Sequence, residues 1–291
     1  MNVQTVAEMM ILARRALQAR GIPVTLQFEE DQPVLADDAG RFVIPAGYLV
    51  NLVDGSAPSD WPDVFAALAD NVSASLTQAH PEDLTADQLR AQIRTRLVAT
   101  SEVESTDLVW RPFASDLAQI LCVDFPTTVV RLNIGVKLPL DRATLFRLGQ
   151  ANTDAEPVDE VFVVDGDVWC LAGESHYVAA RAANFASLAA EHIGPAPHGI
   201  AFSLPDRHSV LFSVLSPEES ITWVMALTSV TETLCVEAAA ERPGGVISPS
   251  VYYWAPDGRV ERISGSRLLM DGEPATLISP GPLFAEFLPI N

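Results

Sequence analysis

EVFVVDGDVWCLAG, residues 160–173, is the stretch on which the reading of the fold turns. Val161, Val163 and Trp169 alternate along it on either side of an Asp165-Gly166-Asp167 turn, the pattern of two antiparallel strands joined tightly. The same form returns in GIAFSLPDRHSVLFSVLS (199–216), with Pro205-Asp206-Arg207-His208 at its tip, and in SVYYWAPDGRVERI (250–263), around Ala255-Pro256-Asp257-Gly258. Turns this short cannot hold the crossover that a parallel strand pair needs. Although strands and helices alternate, the sequence therefore predicts an α+β chain of antiparallel or mixed sheets with helices packed on one face, and not a doubly wound parallel sheet.

Between these hairpins lie helical patterns. An alanine-rich run spans Tyr177 to Ile193, and a long one opens at Ser216-Pro217-Glu218-Glu219 and reaches Glu241, with Pro243-Gly244-Gly245 as its stop. Upstream, DLAQILCVDF (116–125) and TVVRLN (128–133) read as strands, followed by a helix around Arg142 to Ala151. The first hundred residues have a different rhythm. A helix over Val3 to Arg20 precedes VTLQF (24–28), PVLA (33–36) and RFVIP (41–45), a small meander. An amphipathic helix from Trp61 follows, and then one over Thr85 to Arg94 with a capping-box start. The polar segment Val98 to Asp107 marks the expected boundary between two lobes, 1–105 and 106–291.

The chain has 291 residues, 48% of them hydrophobic, enough for a substantial core. The net charge is −20, from 38 acidic against 18 basic residues, and Lys137 is the sole lysine. Such a surface repels phosphate backbones and anionic lipid and draws cationic partners from a distance, so neither nucleic acid nor membrane is an expected partner. No apolar run reaches the length of a membrane span, and the N-terminus reads as an amphipathic helix in place of an export signal, so a cytoplasmic setting is expected. Cys122, Cys170 and Cys235 are far apart and flanked by apolar residues, which suits core thiols and neither a disulfide framework nor a zinc site.

Motifs that carry chemistry are missing. There is no phosphate-cradling glycine loop and no GxSxG nucleophile turn. Glu191, His192, His198 and His208 are the best local set of metal-ligand types, but they lack metal-site spacing, and Asp165 with Asp167 lacks the further ligands of a calcium loop. No cofactor or metal is expected. Tyr252-Tyr253-Trp254 stands out, because three consecutive aromatics on a strand cannot all point to one core, and at least one is expected to face water or a partner. The residues expected to meet a partner are Tyr252, Tyr253, Trp254, Asp165 and Asp167.

The order of several segments resembles the YtpQ-like family of bacterial proteins, a domain of unknown function. The matching segments are IPAGYLVNLV (44–53), IRTRLVAT (93–100), DLAQILCVDFPTTVVRLN (116–133), DGDVWCLAGESHYVAARAANF (165–185), PDRHSVLF (205–212) and ISPSVYYWAPDGRV (247–260). The resemblance implies a fold and no catalytic set, and this chain departs from it in its acidity and its near absence of lysine.

The charge and the missing motifs together lead to the expectation of a non-enzymatic binding protein for a basic protein, with an immunity partner that neutralises a basic toxin or effector as its specific form. The alternatives are a housekeeping or chaperone-like peptide-binding module, and an enzyme without a known motif that would rely on Asp116, Asp124, His176 and His208.

Overall fold

The structure, a computed structural model, describes residues 3–29, 32–40, 42–77, 80–126, 128–241, 245–268 and 274–287. It forms two compact units, residues 1–80 with 126–128, and residues 81–125 with 129–291. The break falls ahead of the expected 105/106 position because residues 93–99 are a strand, paired along their whole length with residues 117–123.

In the first unit, helix α1 (Val3–Ala19) turns Met9, Met10, Ala13 and Leu17 inward at helical spacing. Strands β1 (Val24–Glu29), β2 (Gln32–Asp37) and β3 (Val43–Pro45) form the expected antiparallel meander, with Leu26 opposite Leu35 and Leu35 opposite Ile44. Helices α2 (Ala46–Leu52) and α3 (Trp61–Thr77) add Leu49, Trp61, Phe65 and Leu68 to the same core.

The second unit opens with α4 (Ala86–Gln92), whose capping box is as expected: the Thr85 hydroxyl accepts from the Gln88 backbone N–H at 3.3 Å, and the Gln88 side chain accepts from the Thr85 N–H at 2.9 Å. The helix stops at Gln92, so that β4 (Ile93–Ala99) begins where the sequence suggested more helix. Strands β5 (Trp110–Ala114), β6 (Leu117–Asp124) and β7 (Val129–Arg131) complete a four-stranded sheet centred on β6. All of β6 but Asp124 is buried, as its largely apolar run, interrupted only by Gln119, implies for a strand covered on both faces. Helix α5 (Arg142–Asp154), capped by Asp141, lies on β4, where Gly149 leaves room for the Arg94 backbone. A buried polar set, Thr95, Gln119, Gln150 and Thr153, is hydrogen-bonded together, with Arg111 donating to Gln119 and Gln150 donating to Asp154.

Strands β8 (Glu160–Asp165) and β9 (Val168–Ala172), helix α6 (Phe185–His192), strands β10 (Ile200–Ser203) and β11 (Ser209–Val214), helix α7 (Ser220–Glu241), and strands β12 (Val251–Trp254) and β13 (Val260–Arg262) build the principal sheet. Its order is β13-β12-β10-β11-β9-β8, antiparallel throughout, and all three expected hairpins are present. Helices cover it from both sides, where the sequence suggested one. Phe185 and Leu188 of α6 pack with Phe202, Phe212 and Tyr252 on one face; Val224 and Leu227 of α7 pack with Ala201, Leu211 and Tyr253 on the other. The run from Tyr177 is a 3-10 turn over Ala179–Asn184 before α6 begins, and α7 starts at Ser220, so Pro217 precedes the helix. Of its expected stop, Pro243 and Gly244 lie outside the described residues. A two-stranded ladder, β14 (Ser264–Leu268) and β15 (Pro274–Ile278), and helix α8 (Pro282–Phe287) end the described chain. Among the described residues, the principal sheet thus leaves β8 at one edge, with β9 as its single strand neighbour.

Candidate functional site at the acidic hairpin edge

Valine and phenylalanine favour a pleated strand, and Glu160-Val161-Phe162-Val163-Val164-Asp165 forms one, but at a place where half of the burial such residues normally obtain is missing. Val161, Phe162, Val163 and Val164 are each 39–48% exposed, and so is Trp169 on β9. The ladder runs regularly from Glu160, opposite Ala172, to Val163, opposite Trp169, and shifts register before Asp165. That irregularity sits at Val164 and adds local twist to the strand end. Gly166, with φ of 52°, then closes the turn between Asp165 and Asp167.

Because successive side chains alternate, the strand presents apolar groups on both faces. Phe162 pairs with Cys170, whose side belongs to the core under α7, whereas Val163 pairs with Trp169, which stacks on Phe212 at 6.4 Å on the α6 side. On the α7 side lies a groove of about 790 Å³ lined by Phe162, Val164, Cys170, Ala172, His208 and Leu234. Asp159, Glu160 and Glu174 stand at its rim, and Asp165 and Asp167 at the turn are exposed as well. An apolar strip bounded at both ends by carboxylates results.

The aromatic run behaves differently from the expectation that it reaches a partner. Tyr252 and Tyr253 are buried, Tyr252 in the core on the α6 side and Tyr253 in the core on the α7 side. A sheet covered on both faces buries two successive residues of a central strand, which removes the need for either tyrosine to meet water. Trp254 is half-buried and stacks on Phe185 at 5.5 Å. The Tyr252 hydroxyl donates to Asp116 at 2.9 Å; burial, with the Asp116 charge adding to it, pushes its pKa up.

Of the four residues set aside for an enzyme reading, three gather and one does not. His176 and His208 meet edge to face with ring centroids 5.0 Å apart. Burial holds the His176 imidazole below its ordinary range, followed by Arg207, His208 and Arg96, while Asp124 works weakly in the other direction. Arg207 Nε donates to His208 Nε2 at 3.1 Å, and Arg96 lies 5.9 Å from the Tyr177 ring centre. Asp116 is elsewhere, accepting from Ser250 at 2.9 Å and from Tyr252, with Arg262 3.5 Å away. Sequence reading missed Arg96 and Arg207 as neighbours of His176, since neither lies in a motif and it is the packing of both β4 and β11 against the 3-10 turn after His176 that brings them near it.

His192 is held by Arg181 at 3.2 Å, and Arg181 also donates to Glu191, so this pair is taken up in an ion-pair cluster. Among the described residues no group of three or more His, Cys, Asp or Glu side chains is placed to hold a metal. The three cysteines are buried and not joined in disulfides; burial pushes the Cys122 thiol up to about 12 and the Cys235 thiol up to about 11, so neither of these two is a ready nucleophile. Among the described residues no helix is long and apolar enough to cross a membrane.

Compared with protein-family models, curated proteins and solved structures, the chain has no match.

Proposed function

We propose that this chain is a non-catalytic binding protein that docks a basic protein partner through the β8–β9 hairpin of its second unit. The observation that supports this reading most is the strip Val161–Val164, four adjacent apolar side chains left half in water and bordered by Asp159, Glu160, Asp165 and Asp167. Apolar contact supplies affinity there, and the carboxylates, backed by a net charge of −20, supply steering and choice of partner. Neutralisation of a basic toxin or effector is the specific role proposed, and a toxin-like reading frame beside the gene is the genomic observation that it expects.

The test is capture from native cells at low and high salt, run in parallel with the Asp165→Lys/Asp167→Lys double variant. A cationic protein retained by the wild-type chain at low salt, released by high salt and lost with the variant is expected. Retention of no salt-sensitive protein sinks the reading.

A second reading, a chaperone-like module for apolar peptides, draws support from the first unit. There Ile11, Leu26 and Phe28 are exposed around a groove of about 490 Å³ that Val6, Met10 and Leu35 help to line. It expects broad peptide binding with little response to salt, and binding lost on Phe28→Ser instead of on the hairpin substitutions.

A further inference from the structure

An edge strand offers a partner more than side chains. With β9 on one side, β8 has on its other side a row of backbone N–H and C=O groups that no strand among the described residues pairs. Sheet edges in soluble proteins are ordinarily guarded by charges within the strand, by proline, or by an overlying element. Here the interior of the strand, Val161 to Val164, carries neither a charge nor a proline, and all four side chains are exposed. The irregularity at Val164 protects only the far end, leaving Glu160 to Val163 as a regular stretch.

We infer that β8 receives an extended segment of the partner as a seventh strand of the principal sheet, and that this segment has an apolar centre with lysine or arginine at both ends. This rests on the docking reading above and adds the mode and the chemistry of the partner to it. The apolar centre follows from the two faces of β8. A strand laid along it sets its alternate side chains beside Phe162 and the groove on one face, and beside Val161, Val163 and Trp169 on the other. The basic ends follow from the carboxylates, since Asp159 and Glu160 stand at the start of the strand and Asp165 and Asp167 at its end.

A second copy of the chain fits the backbone equally well but not the charge. Joining two β8 edges brings both sets of carboxylates into one interface between molecules that each carry −20, with no lysine or arginine in the strand to offset them.

The experiment uses the full chain and an end-blocked, fluorescent octapeptide of sequence Lys-Lys-Val-Ile-Val-Val-Lys-Lys. Two isomers of the peptide accompany it, methylated on alternate backbone nitrogens in the two possible phases. In a ladder only one phase places its methyl groups between the strands. Fluorescence anisotropy is expected to show salt-sensitive binding of the parent peptide, weakened about tenfold by Asp165→Lys/Asp167→Lys. One methylated isomer is expected to bind like the parent and the other to lose about tenfold or more.

Equal binding of both isomers and the parent overturns strand addition while leaving acidic docking in place. Failure of the parent peptide to bind in a salt-sensitive way overturns both. Sedimentation of the chain alone as a dimer that Phe162→Glu dissolves assigns the edge to a second copy, which also overturns the inference.

Discussion

At the level of single residues, Gly199 shows how a local conformation governs a large assembly. Its φ is +82°, and a Cβ there would lie 2.5 Å from both the Trp254 carbonyl oxygen and the Tyr253 ring. Gly199→Ala is therefore expected to destabilise the second unit by at least about 2 kcal/mol, the left-handed conformation and the clash acting together, as urea titration would show. Thiols give a second check. With Cys122 pushed up to about 12 and Cys235 up to about 11, iodoacetamide at neutral pH should leave both unmodified in the folded chain and alkylate both after unfolding, by mass spectrometry. The core role of these cysteines was legible in their apolar flanks.

His176 yields a pH prediction whose sign can be fixed. Its folded pKa is lowered, so between the folded and unfolded values the unfolded chain binds more protons. Its contribution to stability is full above the unfolded value, about 6.5, and declines as pH falls through it toward the folded one. His176→Gln should reduce the loss of stability in urea midpoints taken from neutral pH to just below about pH 6, where His192, shifted the same way by burial, contributes as well; at lower pH the carboxylates Asp70, Asp141 and Asp257, held below their ordinary values, add their own loss. The motif-poor sequence could supply the two histidines as candidates but not Arg96, which approaches through tertiary packing, nor a role for Arg207, although it adjoins His208 in the chain.

Among elements, the hairpins were the most legible feature, because turn chemistry is local: DGD, PDRH and APDG each fix a tight antiparallel connection. What β4 does was not legible. IRTRLVA follows a helix with no intervening glycine or proline, and it becomes a strand only because β6, which begins at Leu117, pairs with it. The aromatic run illustrates the same limit. Alternation placed Tyr252 and Tyr253 on opposite faces correctly, but the number of covered faces is a tertiary property, and with both covered neither tyrosine is free to meet a partner. Asp116, between β5 and β6, clips that sheet to β12 through Ser250 and Tyr252. Asp116→Ala would remove the acceptor of the Ser250 and Tyr252 hydroxyls, leaving Tyr252 its contact with the Ser248 hydroxyl at 2.7 Å, and is expected to cost about 2 kcal/mol in urea unfolding, whereas Tyr252→Phe, which removes one donor, should cost about 1 kcal/mol.

For the molecule as a whole, the excess of 20 negative charges acts on every pairwise distance at once. Self-repulsion loads the folded state more than the extended one, so the thermal midpoint is expected to rise by a few degrees as salt is added, then level off when the charges are screened. The same salt should weaken the docking of a cationic partner, so stability and association move in opposite directions with ionic strength. Composition alone made this property legible; where the charge meets an apolar surface it did not reveal, since Asp165 and Asp167 mark only one end of a strip whose exposure follows from the place of β8 in the strand order.

The most direct test of hairpin docking is amide hydrogen exchange of the full chain with and without the Lys-Lys-Val-Ile-Val-Val-Lys-Lys peptide. Slowed exchange concentrated in Glu160–Trp169, and reversed by high salt, is expected. Protection instead around Ile11, Leu26 and Phe28 in the first unit, or no change in the hairpin at saturating peptide, would contradict the claim that the acidic edge strand is where this protein works.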